Sequence, residues 1–493
     1  MTIRNKLELT NTSWREGQNL FKQRLGFFPV LPLYAILLTV VLWKHEPWAD
    51  EAQAWLIARD CSGVELLFQR LRYEGHPGLW YLILMVPSKI LPYYPTIQVI
   101  SFSIAVAGIF VFWRTSPFPP ILKTLFPFTY FIFYQYAVVA RSYVLLPLLI
   151  FLVGHYYPQR FRRVYLFTLL LCLLAYVSVF SALIAISTML IHFLDLLKWW
   201  KELEGEERKR QMASLVAFGL FMILMAFQLW QPTDSSFAKN YHFELDRVTS
   251  RFLEVTDLIM VEIKPISYSI LAVSCVWFWI NRVLLLYLLS SLSIIFLFAV
   301  KYFNSWHEGI LFLAWILPLW ISFQSQSKGN VRGGEVMFSR YKRAMTLMAS
   351  LVFAFHIYWA GAASISDLRG SYSAGRATAD YIKTHQMSEA KIYATTFWST
   401  SILAFFDQNI FLNHNNGQRP SFWFWANDDR HDDNLNWILE QQPDLVIIGR
   451  PKEPLASIDG YQLVNLFEGN LYWKNRIKER QHFAIYRKLS SVD

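Results

Sequence analysis

Residues 27–43, FFPVLPLYAILLTVVLW, lead directly into KHEPWADEAQAW at 44–55. As a helix, the first stretch is about as long as a bilayer is thick. The second stretch places Asp50, Glu51 and a further carboxylate where lipid gives way to water. The preceding residues 1–26 are polar and mainly basic, and no small-residue cleavage pattern follows the apolar stretch. These features predict a retained membrane anchor with a cytoplasmic N-terminal segment.

The composition is that of a polytopic membrane protein. Of 493 residues, 54% are hydrophobic and only 17% are charged, and 20 Trp and 25 Tyr suit the interfaces of a bilayer. A net charge of +10 could indicate nucleic-acid binding. The basic residues nevertheless lie in short clusters between apolar runs, so we interpret them as topology signals and expect no nucleic-acid partner. Three cysteines are too few for a disulfide framework.

About twelve apolar segments, among them 121–138, are long enough to matter between residues 27 and 363. Basic connections alternate with less basic ones, as expected for a chain that crosses the membrane repeatedly. The alternation fails at 78–93, which is short and is interrupted by Pro87. We therefore predict a partial or re-entrant helix there and about eleven crossings in a membrane domain spanning 27–363.

Residues 364–493 have a different pattern and predict a small α/β domain. On the count of eleven crossings this domain is extracytoplasmic, whereas twelve crossings would leave it in the cytoplasm. Its strand-like stretches are AKIYATTFW, DLVIIGRP, YQLVNLF and HFAIYRK, and its helical stretches are AGRATADYIKTH and NLNWILEQQ.

The first outer loop, 44–77, opens with a predicted amphipathic helix. Pro47 suits a first helical turn, and acidic residues in that turn are favoured by the helix dipole. Trp48 begins an apolar face, which predicts a helix lying along the membrane surface. Asp50 and Glu51 are then either a functional pair or simple stabilisers of the helix start.

The same loop ends in YEGHPGLWY, where Glu74 and His76 lie two residues apart just before Pro77. On an extended backbone the two side chains share one side. Such a pair can ligate a divalent metal or bind a phosphate. Two ligands do not make a site, so a surface glutamate and a turn histidine remain the alternative.

Three basic side chains elsewhere lie at predicted outer ends of helices. Arg141 interrupts YAVVARSYVLLP, and an arginine at that depth is a functional candidate that could bind phosphate through two hydrogen bonds. Its alternative is an ion pair with a loop carboxylate. Lys301 and His307, in KYFNSWHEGILF, are either part of the same site or interfacial anchors.

This arrangement resembles the GT-C superfamily of integral-membrane glycosyltransferases, in particular the protein O-mannosyltransferase and aminoarabinose-transferase branch. Architecture resembles that family over nearly the whole chain. Residue matches are confined to WADEAQAW and EGHPGLWY, and less securely to 134–145 and 301–312. Relatives often have His-Pro-Pro where this chain has His76-Pro77-Gly78.

The resemblance implies a role for each matched residue. Asp50 corresponds to the catalytic base, with Glu51 completing the pair. Glu74, with His76, is associated with a divalent metal (Mg²⁺, Mn²⁺ or Zn²⁺) or with donor binding. Arg141, His307, Lys301 and His76 would bind the phosphate of the lipid donor.

The implied reaction is inverting transfer of a sugar from a polyprenyl-phosphate donor to a hydroxyl of a glycan, lipid or protein. It would take place on the extracytoplasmic face of the inner membrane. Two further hypotheses stay open: a transporter or flippase, and a non-catalytic scaffold for polysaccharide assembly. A transporter should have ionisable residues near the bilayer midplane and an internal repeat, and no repeat is evident.

Overall fold

The protein is described here by a computed structural model. The predicted cytoplasmic segment, 1–26, lies outside the described residues. The residues that the structure describes are 30–236, 245–301, 304–324, 334–427, 430–452, 455 and 457–489.

Helices make up most of the described chain up to residue 369. In the first half they are Val30–Lys44, Ala49–Asp60, Gly63–Glu65, Leu71–Glu74, Leu79–Ile90, Pro95–Thr115, Pro120–Leu125, Leu145–Tyr156, Val164–Ala175, Val179–Trp199 and Gly205–Gln228. The later ones are Leu245–Met260, Lys264–Ile280, Leu284–Val300, Glu308–Gln324 and Gly334–Arg369.

Five of the described helical segments are long and apolar enough to cross a membrane. A sixth crossing results if the pair Thr249–Met260 and Lys264–Ile280, bent by 93°, forms one span. Four shorter apolar helices add to these. The chain therefore has the character of a membrane protein, while the count of eleven crossings stays a prediction. The five segments are Pro95–Thr115, Val179–Glu202, Gly205–Gln228, Ser305–Gln324 and Phe338–Arg369.

Two apolar segments of the sequence are not simple spans. Leu79–Ile90 is a helix of 12 residues with Pro87 inside it, which is too short to cross a bilayer at any tilt. The segment 121–138 is broken into the helix Pro120–Leu125, a 3₁₀ turn and the π-helix Phe131–Val138. Pro127 lies in the 3₁₀ turn, where its missing N–H interrupts the helical hydrogen bonds.

The tail contains all four predicted strands and both predicted helices. The strands β1 (Ile392–Ala394), β2 (Leu445–Gly449), β3 (Tyr461–Phe467) and β6 (Phe483–Lys488) form one sheet in the order β1-β2-β6-β3. Only β1 and β2 are parallel. A hairpin of β4 (Asn470–Trp473) and β5 (Arg476–Arg480) was not predicted. The helices Gly375–Thr384, Thr400–Leu403 and Leu435–Glu440 complete this C-terminal domain.

The helix Ala49–Asp60, called the loop helix below, has no broad exposed polar face of the kind expected for the predicted amphipathic helix. Ten of the eleven residues from Ala49 to Arg59 are buried, and Asp50 is the exception. Arg59 donates to the carbonyl of Phe406 at 2.7 Å, and the backbone N–H of Ser421 donates to Asp60 at 2.7 Å. The C-terminal domain thus covers the face that the sequence assigned to water, because distant segments decide what a helix packs against.

A buried lysine joins the C-terminal domain to the membrane helices. Lys474 lies in the turn between β4 and β5, is wholly buried, and donates to Glu262 at 2.7 Å and to the carbonyl of Leu258 at 2.6 Å. Its Nζ is 3.5 Å from a carboxylate oxygen of Glu308, whose side chain is also wholly buried. The rings of Trp473 and a second tryptophan lie 4.0 and 4.4 Å from the same nitrogen.

We expect Lys474→Met to lower the free energy of unfolding by about 3–5 kcal/mol, because it leaves the carboxylate of Glu308 buried without its cation. Unfolding in mixed micelles measures this. The matched control is Lys478→Met on the exposed side of the same hairpin, which should change little. Adding Glu308→Gln to Lys474→Met should recover part of the loss. Equal effects of the two single lysine variants would contradict the prediction.

Candidate active site

Asp50 and Arg141, predicted from separate parts of the sequence, form an ion pair. Nη1 of Arg141 is 2.5 Å from Oδ2 of Asp50. Asp50 lies in the first turn of the loop helix, and Arg141 lies in the extended link between the π-helix Phe131–Val138 and Leu145–Tyr156. The two side chains are 29% and 13% exposed, so the pair is sheltered yet open to a ligand.

Aromatic rings and a neutral histidine hold the guanidinium of Arg141 in place. Its Cζ lies 5.8 Å from the ring of Trp48 and 5.6 Å from that of Tyr143. The Nε2 atom of His76 is 3.4 Å from Nη2. Burial, and then the charge of Arg141, lower the pKa of His76 to about 4, so its ring is neutral at pH 7 and can accept from the arginine.

Glu74 lies beside this pair and is uncharged over much of the neutral range. Burial raises its pKa to about 8, and the negative charge of Asp50 acts in the same direction. Gln53 donates to Glu74 at 2.8 Å. The same amide side chain exchanges two hydrogen bonds, each of 2.8 Å, with the backbone of Trp423 in the C-terminal domain. Gln53 therefore connects the site to the domain that covers it.

The donor atoms at Glu74 and His76 do not fit a resident divalent metal. A permanent cation, Arg141, lies against the ring nitrogen of His76 that would face the metal. Glu74 is held by hydrogen bonds from Gln53 and Trp425. Within the described ranges, no group of three His, Cys, Asp or Glu side chains is placed to hold a metal ion. We assign His76 to the surroundings of Arg141 and Glu74 to the wall of the site.

Glu51 points away from Asp50 into the protein interior and is fully buried. One carboxylate oxygen accepts from the backbone N–H of Ala140 at 2.7 Å, and the other is 3.2 Å from Nε2 of His45. Nδ1 of His45 is 2.7 Å from a carboxylate oxygen of Asp367, near the C-terminal end of the helix Gly334–Arg369. Because Ala140 immediately precedes Arg141, Glu51 fixes the backbone of the arginine relative to the loop helix. This geometry favours a positioning role for Glu51 over a catalytic one.

The histidine in this network is charged at neutral pH. Burial by itself lowers the pKa of His45, but the carboxylates of Asp367 and Glu51 outweigh it and raise the pKa to about 10. The network therefore stabilises the fold most below the ordinary histidine value of 6.5, and this stabilisation is lost as the pH rises through 10.

We expect Glu51→Gln to lower the free energy of unfolding by about 3 kcal/mol at pH 6 and by clearly less at pH 10.5. At pH 6 the variant leaves the imidazolium of His45 with one counter-charge, whereas at the higher pH little imidazolium remains. Unfolding in mixed micelles at both pH values measures the difference. Glu65→Gln, which breaks a partly exposed pair with Arg70, is the control and should show no such pH dependence. A loss for Glu51→Gln that does not change with pH would refute the prediction.

The remaining predicted site residues lie at different depths. His307 is buried, with its ring 4.8 Å from that of Phe180 and 6.3 Å from that of Tyr143. Since Tyr143 also contacts Arg141, His307 lies one ring away from the ion pair. Lys301 is exposed at the C-terminal end of Leu284–Val300. The structure thus gathers Asp50, Arg141, Glu74, His76 and His307, and leaves Lys301 on the surface.

Sequence reasoning missed three residues that shape this site: His45, Gln53 and Asp367. His45 and Gln53 are polar residues in the quoted stretch at 44–55, and that local excess of polar residues was the available signal. Asp367 is a lone carboxylate near the end of an apolar segment, where an ionisable residue is a functional candidate by default. Their partners are up to 370 positions away in the sequence, so no local pattern identifies them.

No known protein family, curated protein or solved structure matches this chain. The functional proposal therefore depends on the geometry of the site and on the chemistry of its residues.

Proposed function

We propose that the chain is a GT-C-type glycosyltransferase that transfers a sugar from a polyprenyl-phosphate donor to an acceptor hydroxyl, with inversion. The single observation that supports this most is the sheltered pair of Asp50 and Arg141, 2.5 Å apart. Such a transfer needs a base for the acceptor proton and a cation for the departing phosphate. One residue of each kind lies here. At pH 7 the neighbouring His76 is neutral and the neighbouring Glu74 is mostly protonated.

Arg141 would receive the donor phosphate. A guanidinium binds phosphate through two parallel hydrogen bonds, so the phosphate competes with Asp50 for it. Donor binding thereby releases the carboxylate of Asp50 next to the anomeric carbon. Trp48 and Tyr143 keep the guanidinium in this orientation during the exchange of partners.

The transfer itself then balances without a further reactant. Asp50 takes the proton of the acceptor hydroxyl, and the oxygen forms a bond to the anomeric carbon from the face opposite the phosphate. The bond between that carbon and the phosphate oxygen breaks, and its electron pair leaves with the polyprenyl phosphate. Arg141 stabilises the negative charge that develops on the phosphate.

The proposal includes an extracytoplasmic site, because lipid-linked sugars replace cytosolic sugar nucleotides on that side of the membrane. Asp459, exposed in the C-terminal domain, is a suitable position for a test. In Asp459→Cys, a membrane-impermeant maleimide should label intact cells to the same extent as permeabilised cells. Labelling only after permeabilisation would contradict this topology.

The function is tested with purified protein in proteoliposomes that contain labelled polyprenyl-phosphate hexoses and an envelope extract as the source of acceptors. We expect labelled product together with an equal amount of released polyprenyl phosphate, and no product from nucleotide sugars. Movement of the lipid-linked sugar between leaflets without release of polyprenyl phosphate would instead establish the flippase hypothesis.

A further inference from the structure

A shallow groove lies between the first loop and the C-terminal domain, next to the ion pair but outside the transfer chemistry described above. Its walls combine aromatic rings with two guanidinium groups, and a largely uncharged carboxyl group forms part of the lining. The residues that line it are Arg70, Tyr73, Glu74, Phe422, Trp423, Phe424, Trp425, Ala426 and Arg430.

The indole of Trp425 is a fixed, half-buried platform in this groove. Its side chain hydrogen-bonds to Glu74, and its ring lies 4.8 Å from that of Phe397. Its backbone carbonyl accepts from the N–H and the hydroxyl of Ser236 at 2.8 and 2.9 Å. An aromatic ring held in this way loses little conformational entropy when a ligand stacks on it.

Hydrogen-bonding groups of both kinds line the groove beside Trp425 and Phe424. The guanidinium carbons of Arg430 and Arg70 lie 3.7 and 5.0 Å from the ring centre of Phe424. Tyr73 donates to Asp234 at 2.9 Å on the rim. Planar donors and carboxylate acceptors beside an aromatic face match the vicinal hydroxyls and the apolar C–H face of a sugar ring.

The charges around the groove favour a neutral ligand over an anionic one. Arg70 is paired with Glu65 at 3.0 Å. Tyr73, which lines the groove, donates a hydrogen bond to the carboxylate of Asp234. The pKa of Glu74 near 8 leaves that group mostly protonated at pH 7, so it can donate a hydrogen bond to a hydroxyl. The described side chains around the groove thus carry positive and negative charges that offset each other, together with many polar atoms.

The groove leads to the proposed base. Glu74 in its lining accepts from Gln53, and Gln53 follows Asp50 by three residues, on the same side of the loop helix. The charges of Asp50 and Arg141 both act on the pKa of Glu74, so the three groups are close together. A ligand in the groove would therefore present a hydroxyl to Asp50.

We infer that this groove binds a neutral carbohydrate and that the acceptor is the hydroxyl of a glycan, not of a protein or a lipid. The assignment of this sugar as acceptor rests on the proposed transferase function, whereas carbohydrate binding in the groove does not.

Binding is measured with the full chain in nanodiscs, fluorescently labelled and applied to an array of neutral oligosaccharides, acidic oligosaccharides, peptides and glycolipids. We expect the wild type to bind neutral oligosaccharides. Trp425→Ala should weaken this binding about tenfold or more through the lost stacking surface. Trp425→Phe, which keeps a platform, should restore much of the affinity.

Trp437→Ala is the matched control, because Trp437 is a half-buried tryptophan of the same domain that lies against Tyr393 and not in the groove. Equal binding by Trp425→Ala and Trp437→Ala would overturn the inference, as would binding of only acidic glycans, peptides or glycolipids. Oligosaccharide binding without any sugar transfer would leave the groove in place and remove the transferase. Transfer to peptides that is unaffected by Trp425→Ala would support the transferase and exclude the groove as its acceptor site.

Discussion

Asp50→Asn is expected to lower the rate of sugar transfer by about 10³-fold, since a positioned general base contributes 10²–10⁴-fold to a proton transfer of this kind. Asparagine keeps the size of the side chain but cannot accept the acceptor proton. The variant also ends the competition between Asp50 and the donor phosphate for Arg141. The affinity for the donor should therefore stay the same or rise while kcat falls, and steady-state kinetics separate the two.

Asp195→Asn is a closely matched control for this experiment. Asp195 pairs with Arg160 at 2.8 Å, and the two side chains are 23% and 14% exposed, close to the values of the Asp50 and Arg141 pair. It lies near the end of Val179–Trp199, outside the proposed site. Its loss should leave transfer almost unchanged. Undiminished transfer by a well-folded Asp50→Asn protein would remove Asp50 as the base.

Arg141→Lys should lower transfer by about 10²–10³-fold, which is the usual effect of removing one donor that stabilises charge in the transition state. Lysine keeps the positive charge but loses the planar fork that binds two phosphate oxygens at once. It also loses the stacking of the guanidinium near Trp48 and Tyr143. We expect weaker inhibition by free polyprenyl phosphate, which reports phosphate binding independently of catalysis.

Arg160→Lys is the control, since it alters a similar ion pair remote from the site. A second check comes from the double variant. If Arg141 and Asp50 act in one step, Asp50→Asn with Arg141→Lys should cost much less than the product of the two single effects. Normal inhibition by polyprenyl phosphate in Arg141→Lys would exclude the arginine from phosphate binding.

The tail of the chain was the part most predictable from its sequence. The strand β2 is a short run rich in β-branched residues, and β6 begins with four apolar residues that are buried. The helix Gly375–Thr384 has a clear amphipathic period. The hairpin of β4 and β5 escaped prediction. Its strand β5, RIKER, is charged and mostly exposed, so it has no hydrophobic alternation to detect.

The membrane domain was predictable in character but not in detail. The segment 121–138 is apolar throughout, and hydropathy alone does not distinguish a straight span from the broken helix that forms there. Pro127 was the available signal for the break. The predicted amphipathic character of the loop helix was wrong because residues of the C-terminal domain, hundreds of positions away, cover its polar face.

Local sequence patterns were enough to predict a membrane protein, the stretches of the tail that become strands, and the charged residues that stand where apolar ones are expected. These properties follow from local composition and period, which act within a few residues. The tertiary structure alone decided that Asp50 meets Arg141, whereas Glu51, its neighbour in the chain, turns inward to His45 and Ala140. Adjacent residues on a helix point about 100° apart, so packing against distant segments decides which carboxylate faces the site and which is buried.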